Sequence, residues 1–509
     1  MEKLKSMINS DKENFSSIIY YDELVQVSPK AKAFHFWEFS KDLNISSVYR
    51  KGFLKFLTEH GFYRRVSSNG SWGLVKITNG VIEYVCKEDI VIYIKNYVES
   101  ITKPLKIYYS RGRREYKVIE SEQFANVFYK QFHLVINEAF LIALEFDNSQ
   151  TLNDTKDSAY LLFKNTVVKV TEDNVTLSDY SEFDNLLVFE SQIIDSDFEF
   201  NDEWKNCQFA QFVRNITNDD TNRKNALRSA IGYLIHGFND PAKSQAVILY
   251  DEELTDKNTP KGGTGKGIIG QALSKIKKAF IQLDGKSLRL DSQFLFQRIK
   301  EDTRIIFIDD VAKNFDIDRL NSILTEGITI EEKFKKPVHI AKVNMPKFLI
   351  ASNIILPFDG TTRTRRQFVI ELSNHYSNKL SAGITEPILQ EHKARFFSEE
   401  WSNSEWNGFY TFIVKSVQYY LANGLVPPPK LNMEINWLIQ KIGKQAYYYF
   451  ESIELQKGQE RITKDIYEEF KKQILDDSYS QRLFSDNLKA YLKYKGMSSK
   501  FDKGKVLIE

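Results

Sequence analysis

Cysteine is scarce, with only Cys86 and Cys207 among 509 residues. Two thiols this far apart make neither a disulfide framework nor a zinc ribbon. Eleven prolines and 23 glycines exclude a collagen-like or linker-dominated chain. No apolar run nears the ~18 residues of a membrane-spanning helix; the longest obvious one is AFLIALEF, Ala139–Phe146. The opening MEKLKSMINSDKENF lacks the apolar core of a signal peptide. These absences predict a soluble cytoplasmic protein with no membrane partner. Apolar residues at 42% and aromatics at 14% are enough for ordinary cores, so wholesale disorder is excluded. At about 150 residues per domain, the length suggests about three domains.

A charge excess of one sign is also missing: 70 basic residues face 68 acidic ones, a net +2. The balance hides opposed blocks. Thr171–Glu203 holds eleven acids and no Lys or Arg. Lys103–Lys117 carries +5, Lys333–Lys347 +5 and Ser480–Glu509 +4. Binding a polyanion requires a local basic surface, not a basic total, so a nucleic-acid partner is not excluded.

The first ~150 residues mix short helical and strand patterns. FWEFSKDL and RKGFLKFLTEHGF put apolar residues at helical spacing, with Gly61 suited to a helix end. GLVKITNGVIEYV reads as two strands around the hairpin turn Asn79-Gly80. KEDIVIYIKNYVESI returns to helical periodicity, and Ser158–Tyr180 reads as strands joined by polar turns. NRKNALRSAIGYLIHGF, Asn222–Phe238, is an amphipathic helix ending near Gly237. From Ala246 the rhythm changes. AVILY, AFIQLDG, RIIFIDD, PKFLIASN and QFVIEL are apolar runs without polar alternation, separated by helical segments. Such runs suit strands buried on both faces, as in a parallel sheet covered by helices. The chain from about Ser398 reads as mostly helical, broken at Pro427–Pro429, with a terminal hairpin expected in YLKYKGMSSKFDKGKVLIE.

The strongest local signal is KGGTGKG, Lys261–Gly267, between the first of these strands and a helix. An anion-binding loop requires glycines so that backbone N–H groups can converge. A helix N-terminus behind it adds positive potential, and a Lys there reaches the β and γ phosphates. Gly262, Gly263, Thr264, Gly265, Lys266 and Gly267 fit this role. ATP is the expected ligand. Pro260 stands where the full pattern has glycine. Gly267 stands where it has the Ser or Thr that ligates Mg²⁺. Mg²⁺ would then depend more on carboxylates, water and the nucleotide.

RIIFIDDV ends its strand on Asp309 and Asp310, 43 residues after Lys266. In such a site one carboxylate holds Mg²⁺ through water and its neighbour orients the attacking water. Asp309 is assigned to the metal and Asp310 to the water. PKFLIASN ends on Asn353, whose amide can hold that water beside the γ-phosphate. Arg363, Arg365 and Arg366 precede the fifth strand. One of them could act in trans on transition-state charge, with Arg365 and Arg366 favoured. Lys333, Lys335, Lys336, His339 and Lys342 surround Pro337 in an apparent hairpin, where they could meet nucleic-acid phosphates. IIDSDF, Ile193–Phe198, is the one D-x-D candidate weighed for a polymerase site, and no supporting His and basic constellation accompanies it.

Loop, acid pair, basic hairpin, strand-end Asn and arginines, in this order, resemble the superfamily 3 helicases, specifically the primase-helicase type of phages, plasmids and mobile elements. The resemblance is clear over about residues 205–400. FLKFLTEHGFYR and KNTVVKVT look like segments of replication proteins from Bacteroidetes phages and mobile elements. The resemblance implies an α/β fold: an AAA+ ATPase core with a five-stranded parallel sheet, an α+β N-terminal region and a helical, winged-helix C-terminus. It implies an N-terminal region over 1–150, an acidic, strand-rich connector over 151–204 and a helical oligomerisation collar over 205–240. The ATPase domain would span 241–400, a helical extension 401–428 and the winged helix 429–509. It further implies a hexameric homo-oligomer moving 3′-to-5′ on single-stranded or forked DNA in a bacterial host, with a primase or polymerase as candidate partner. Two rival readings are a catalytically weak scaffold or loader for replication proteins, and an ATPase that remodels protein or RNA.

Overall fold

The five apolar runs form one sheet. The computed structural model describes all residues except 1–16, 21–35, 41, 67–71, 109–115, 184–185, 241, 254–262, 291–295, 297, 300–301, 313–314, 331–337, 358–364, 475–478, 503–504 and 509. Strands β1 (Ala246–Asp251), β2 (Phe280–Asp284), β3 (Ile305–Asp309), β4 (Lys347–Ala351) and β5 (Gln367–Leu372) are all parallel and lie in the order β2-β3-β4-β1-β5. Alternate side chains feed two different cores. Val247, Leu249, Ile305, Phe307 and Leu349 face one side. Ala246, Ile248, Tyr250, Ile306, Ile308 and Ile350 face the other. Burial on both faces is why these runs show no polar alternation.

Helices α1 (Gln208–Ile216), α2 (Thr221–Ile235), α3 (Lys266–Ile276) and α4 (Asn403–Asn423) cover the first face. The second is covered by residues of the helix Ile317–Glu326, including Leu320, Ile323 and Leu324. Helix α2 starts where the Asp220 side chain accepts the Arg223 N–H at 2.8 Å, a side-chain N-cap. Its far end is held by a residue of the sheet. Lys347, the first residue of β4, donates from Nζ to the carbonyls of Tyr233 at 2.6 Å and His236 at 2.5 Å. A cation on the last carbonyls of a helix offsets its negative end. Lys347 is only 4% exposed, and burial pushes its ammonium down to about 7.

The chain divides into two compact units, Met1–Leu152 with Phe183–Glu190, and Asn153–Glu182 with Ser191–Glu509. In the first, Trp72–Thr78 and Val81–Val85 form the expected hairpin, with Asn79 at φ +50° and Gly80 at φ +79°. Both left-handed values suit a tight two-residue turn. Helices Arg50–Glu59 and Lys87–Glu99 lie where periodicity predicts them. FWEFSKDL departs from its expected helical reading. Trp37–Phe39 is a strand paired antiparallel with Ile45–Val48. Phe36 and Trp37 are both buried. In so short a segment, adjacent aromatics packed into one core outweigh an apparent helical spacing. Val188–Phe189, from the acidic stretch, adds a parallel strand beside Val81–Ile82.

In the second unit, Ala159–Phe163, Val167–Val170 and Val175–Ser178 make the antiparallel strands expected there. Helix α4 stops at Asn423, ahead of the three prolines. The C-terminal part packs helices Met433–Ile442, Lys444–Ser452, Thr463–Ile474 and Gln481–Tyr494 around Phe450, Phe470 and Phe484. The expected terminal hairpin, Ser499–Asp502 with Lys505–Ile508, joins Glu460–Ile462 in a three-stranded antiparallel sheet.

The Lys347 site fixes a pH dependence. The folded chain releases this proton near pH 7, whereas an unfolded lysine holds it to its ordinary 10.5. The unfolded state therefore binds more protons in that window, so stability gains with rising pH there. Urea unfolding between about pH 7 and about 10 should show this contribution in the native chain and lose it in Lys347→Met. An identical pH slope in both would refute it.

Candidate functional site

Because all five strands are parallel, their carboxyl ends share one edge of the sheet, where open α/β sheets bind ligands. Strand β1 ends there on Asp251, and after the connecting loop the chain re-enters at Gly263, Thr264 and Gly265 before α3 begins at Lys266. Gly263 and Gly265 have φ +94° and +100°. The Lys266 Nζ pairs with the Asp251 carboxylate, which also accepts the Thr264 hydroxyl at 2.6 Å. Lys266, Asp251 and Thr264 are all buried. Asp251 is thus the resident counter-ion of the loop lysine. Sequence reading assigns it no role; its place at the strand end, ahead of a Lys at a helix start, is the available signal.

Strand β3 delivers the acid pair to the same edge. Asp309 closes the strand, and Asp310 follows at φ +55°, a left-handed conformation that is uncommon for a non-glycine residue. The turn aims Asp310 at two partners. Asn353, just beyond β4, donates from Nδ2 to Oδ1 at 2.9 Å, and Lys286 Nζ lies 2.5 Å from Oδ2. Lys286 follows β2, whose Asp284 is in register with Asp309. Burial, aided by the Asp310 charge and opposed by Lys266, raises the Asp309 carboxyl above its ordinary range. The Asn353 Oδ1 is buried without a hydrogen-bond partner among the described residues. Lys286 escaped sequence reading because only strand order brings the end of β2 beside the end of β3.

The remaining candidates lie elsewhere. Arg365 and Arg366 precede β5, and Gln367 pairs in register with Ala246 at the start of β1. They therefore stand at the amino edge of the sheet. At about 3.3 Å per residue, the strand separates them from the loop of the same chain by roughly 20 Å. Arg366 is buried and donates to the Ser244 carbonyl at 3.1 Å, while Arg365 is exposed. Ile328–Ile330 and Val338–Ile340 pair antiparallel, forming the two arms of the basic hairpin. His339 is exposed on one arm, its Nδ1 3.4 Å from the Thr329 hydroxyl. Burial and the charges of Arg366 and Arg365 lower the Lys342 ammonium below its ordinary value. Lys333, Lys335, Lys336, Gly262 and Arg363 lie outside the described residues. In the D-x-D candidate, Asp195 pairs with Lys164.

The donor set fits a nucleotide-phosphate and Mg²⁺ site. Positive-φ glycines open the loop at a helix N-terminus, a lysine has only one carboxylate to leave, and an amide oxygen is orphaned beside the acid pair. Among the described residues no group of three or more His, Cys, Asp and Glu is arranged to hold a metal.

A family model described as a family of unknown function, DUF5906, matches residues 259–366, the stretch from the loop to Arg366. No curated protein matches. Two solved structures of the apo A form of the NrS-1 C-terminal region are similar at 14% identity. One covers 89% of this chain and 97% of its own, with a TM-score of 0.40. The other, spanning 305–718 of that protein, covers 87% and 89%, with a TM-score of 0.37.

The two loop glycines should respond differently to substitution. A Cβ on Gly265 would stand 2.7 Å from the Phe212 ring, at φ +100°, whereas one on Gly267 meets nothing within 4 Å. Gly265→Ala should destabilise by on the order of 1–3 kcal/mol. Gly267→Ser should leave the thermal midpoint near that of the native chain. Comparable losses in both would mean that the loop geometry is wrong.

Proposed function

We propose that the chain is an ATP-driven DNA helicase of a phage or mobile element, built on an AAA+ core and working as a ring. The observation that carries this reading is the division of the site between opposite edges of one parallel sheet. Loop, acid pair and Asn353 share the carboxyl edge, while Arg365 stands on the amino edge, about 20 Å away along the strand. A single copy cannot bring both to one phosphate. A second copy can, and a closed ring supplies every site with its neighbour's arginine.

In this mechanism the phosphates of ATP lie against the N–H groups at the start of α3, and Lys266 leaves Asp251 to meet them. Asp309 would hold Mg²⁺, which would supply the positive charge that neutralises the phosphate oxygens. Asp310 orients the attacking water and draws off its proton, with the free Asn353 Oδ1 as a second acceptor for that water. Lys286 must release Asp310 for this to happen. Arg365 of the neighbouring copy stabilises the transition-state charge. Arg366 instead acts within its own chain through Ser244, and Arg363 is kept as a further candidate for the trans role. Lys333, Lys335, Lys336, His339 and Lys342 contact the DNA phosphates in this reading. The 3′-to-5′ direction, the hexameric state, the winged-helix role of the C-terminal part and a primase or polymerase partner complete the proposal.

Two features favour a second reading, a weakly hydrolysing scaffold or loader. Gly267 has no hydroxyl for Mg²⁺, and Asp310 is engaged by Lys286. ATP turnover measured with and without single-stranded DNA separates the readings. The helicase should be stimulated by DNA, and Lys266→Ala should abolish turnover. Binding without DNA-stimulated turnover would favour the scaffold, and unchanged turnover in Lys266→Ala would refute the loop assignment.

The trans role of Arg365 has its own test. Arg365→Ala and Lys266→Ala should each be inactive alone, losing about 10³-fold or more in turnover. Mixed, they should regain part of it, because some interfaces join an intact loop to an intact arginine. No recovery in rings shown to exchange subunits would place the essential arginine elsewhere.

A further inference from the structure

Helices α1 and α2 carry a basic cleft that the ATP site does not use. It holds about 190 Å³ and is lined by nine residues, of which Lys205, Arg214, Lys224 and Arg228 are cationic and none is acidic. It opens directly after the eleven-acid stretch ending at Glu203, so the reversal of charge is abrupt. The floor is apolar, with Val213 and Phe412 buried and Trp204 half-buried at one side.

Arg228 is held ready before any ligand arrives. Its guanidinium lies 5.4 Å from the Trp204 ring centre and 5.1 Å from that of Tyr419. Its Nε is buried with no hydrogen-bond partner among the described residues. Clamping between two rings removes the rotamer freedom that an arginine usually loses on binding. Around it, Arg214 is steadied by donation to the Lys205 carbonyl at 2.6 Å, and Lys205 Nζ stands 5.7 Å from the Trp204 ring centre. Lys224 pairs with Asp219 at 2.6 Å. Asp219 is the more exposed partner, at 70% against 26%, so water screens the pair and an entering anion can replace it.

We propose that this cleft binds a nucleoside monophosphate unit, either free or within a single strand. The phosphate meets Arg214, Lys224 and Lys205, and the flat base lies on the apolar floor beside Trp204. A carboxylate from an acidic peptide would satisfy the cations but leave the apolar floor wet. A nucleotide satisfies both, and the volume exceeds the ~30 Å³ share of one water while falling below the 300–1,000 Å³ of drug-sized pockets.

The test uses the full chain carrying Lys266→Ala, so that the phosphate loop does not report. Thymidine monophosphate and a fluorescent oligothymidylate are titrated against this protein and against one also carrying Arg214→Gln and Lys224→Gln. The expected result is about tenfold weaker binding of the monophosphate, and for the oligonucleotide a salt slope shallower by about 1–2. Loss with both probes marks a nucleotide site open to free and strand-borne ligands, and loss with the oligonucleotide alone marks a strand site. Should the double variant misfold, quenching of tryptophan emission by the monophosphate, present in the parent and absent in Trp204→Phe, supports the same assignment. Unchanged binding of both probes would overturn it. So would inorganic phosphate competing as well as the monophosphate, because the base would then contribute nothing. Weakened self-association with nucleotide binding intact would make the cleft a protein contact and equally overturn the proposal.

Discussion

The two-faced burial of the parallel sheet is the constraint on which the rest depends. Strand β1 lies between β4 and β5, and its six residues are all buried. A strand so enclosed has no solvent face, so its ends are the only places where polar chemistry can emerge. All five strands run the same way, so every such end falls on one of two edges. The carboxyl edge collects Asp251, Asp309 and, just beyond β4, Asn353, while the amino edge collects Arg304, Lys347 and Arg366. Strand-end acids and Asn353 thus gather on one edge, where Lys266 and Lys286 meet them, and the cations at strand starts gather on the other.

Two ion pairs close on the carboxyl edge. Lys266 is neutralised by Asp251 and Asp310 by Lys286, so neither charged group stands bare in a partly buried setting. This is the expected resting condition of such a site, since an unpaired buried charge is costly. It also means that ligand binding there is an exchange of partners. Asp310 adds a left-handed backbone, which costs on the order of 1–3 kcal/mol and persists only where the surroundings enforce it. Here Asn353 and Lys286 grip the side chain from two strands.

What sequence reading could see follows from the range of each interaction. The five sheet strands were legible because burial on both faces writes a uniform apolar run into each. The Asn79-Gly80 turn was legible because few residue pairs accept two left-handed conformations. FWEFSKDL misled because its aromatics serve a tertiary core at a spacing that also suits a helix. Lys286 was not legible as a partner of Asp310, because that pairing depends on strand order. The burial of Arg366 and the exposure of its neighbour Arg365 likewise come from the packing around Ser244, which nothing in GTTRTRRQFVIEL encodes locally.

The near-neutral total charge shows the same dependence on placement. A count of +2 treats every lysine and arginine as surface, yet several are not. Lys277 and Lys347 are buried at 6% and 4% exposure, and burial lowers both ammonium groups. Arg223 is buried against Glu252 and the Glu371 carbonyl. Arg366 is buried on a backbone carbonyl. These cations tie helix ends and strand starts together inside the fold and offer nothing to a polyanion. The cations that remain available are therefore fewer and more local than composition suggests. They include Arg365 and the cations that line the α1–α2 cleft. For this chain the sign of the total says little about its partners; the distinction between buried and exposed cations says much more.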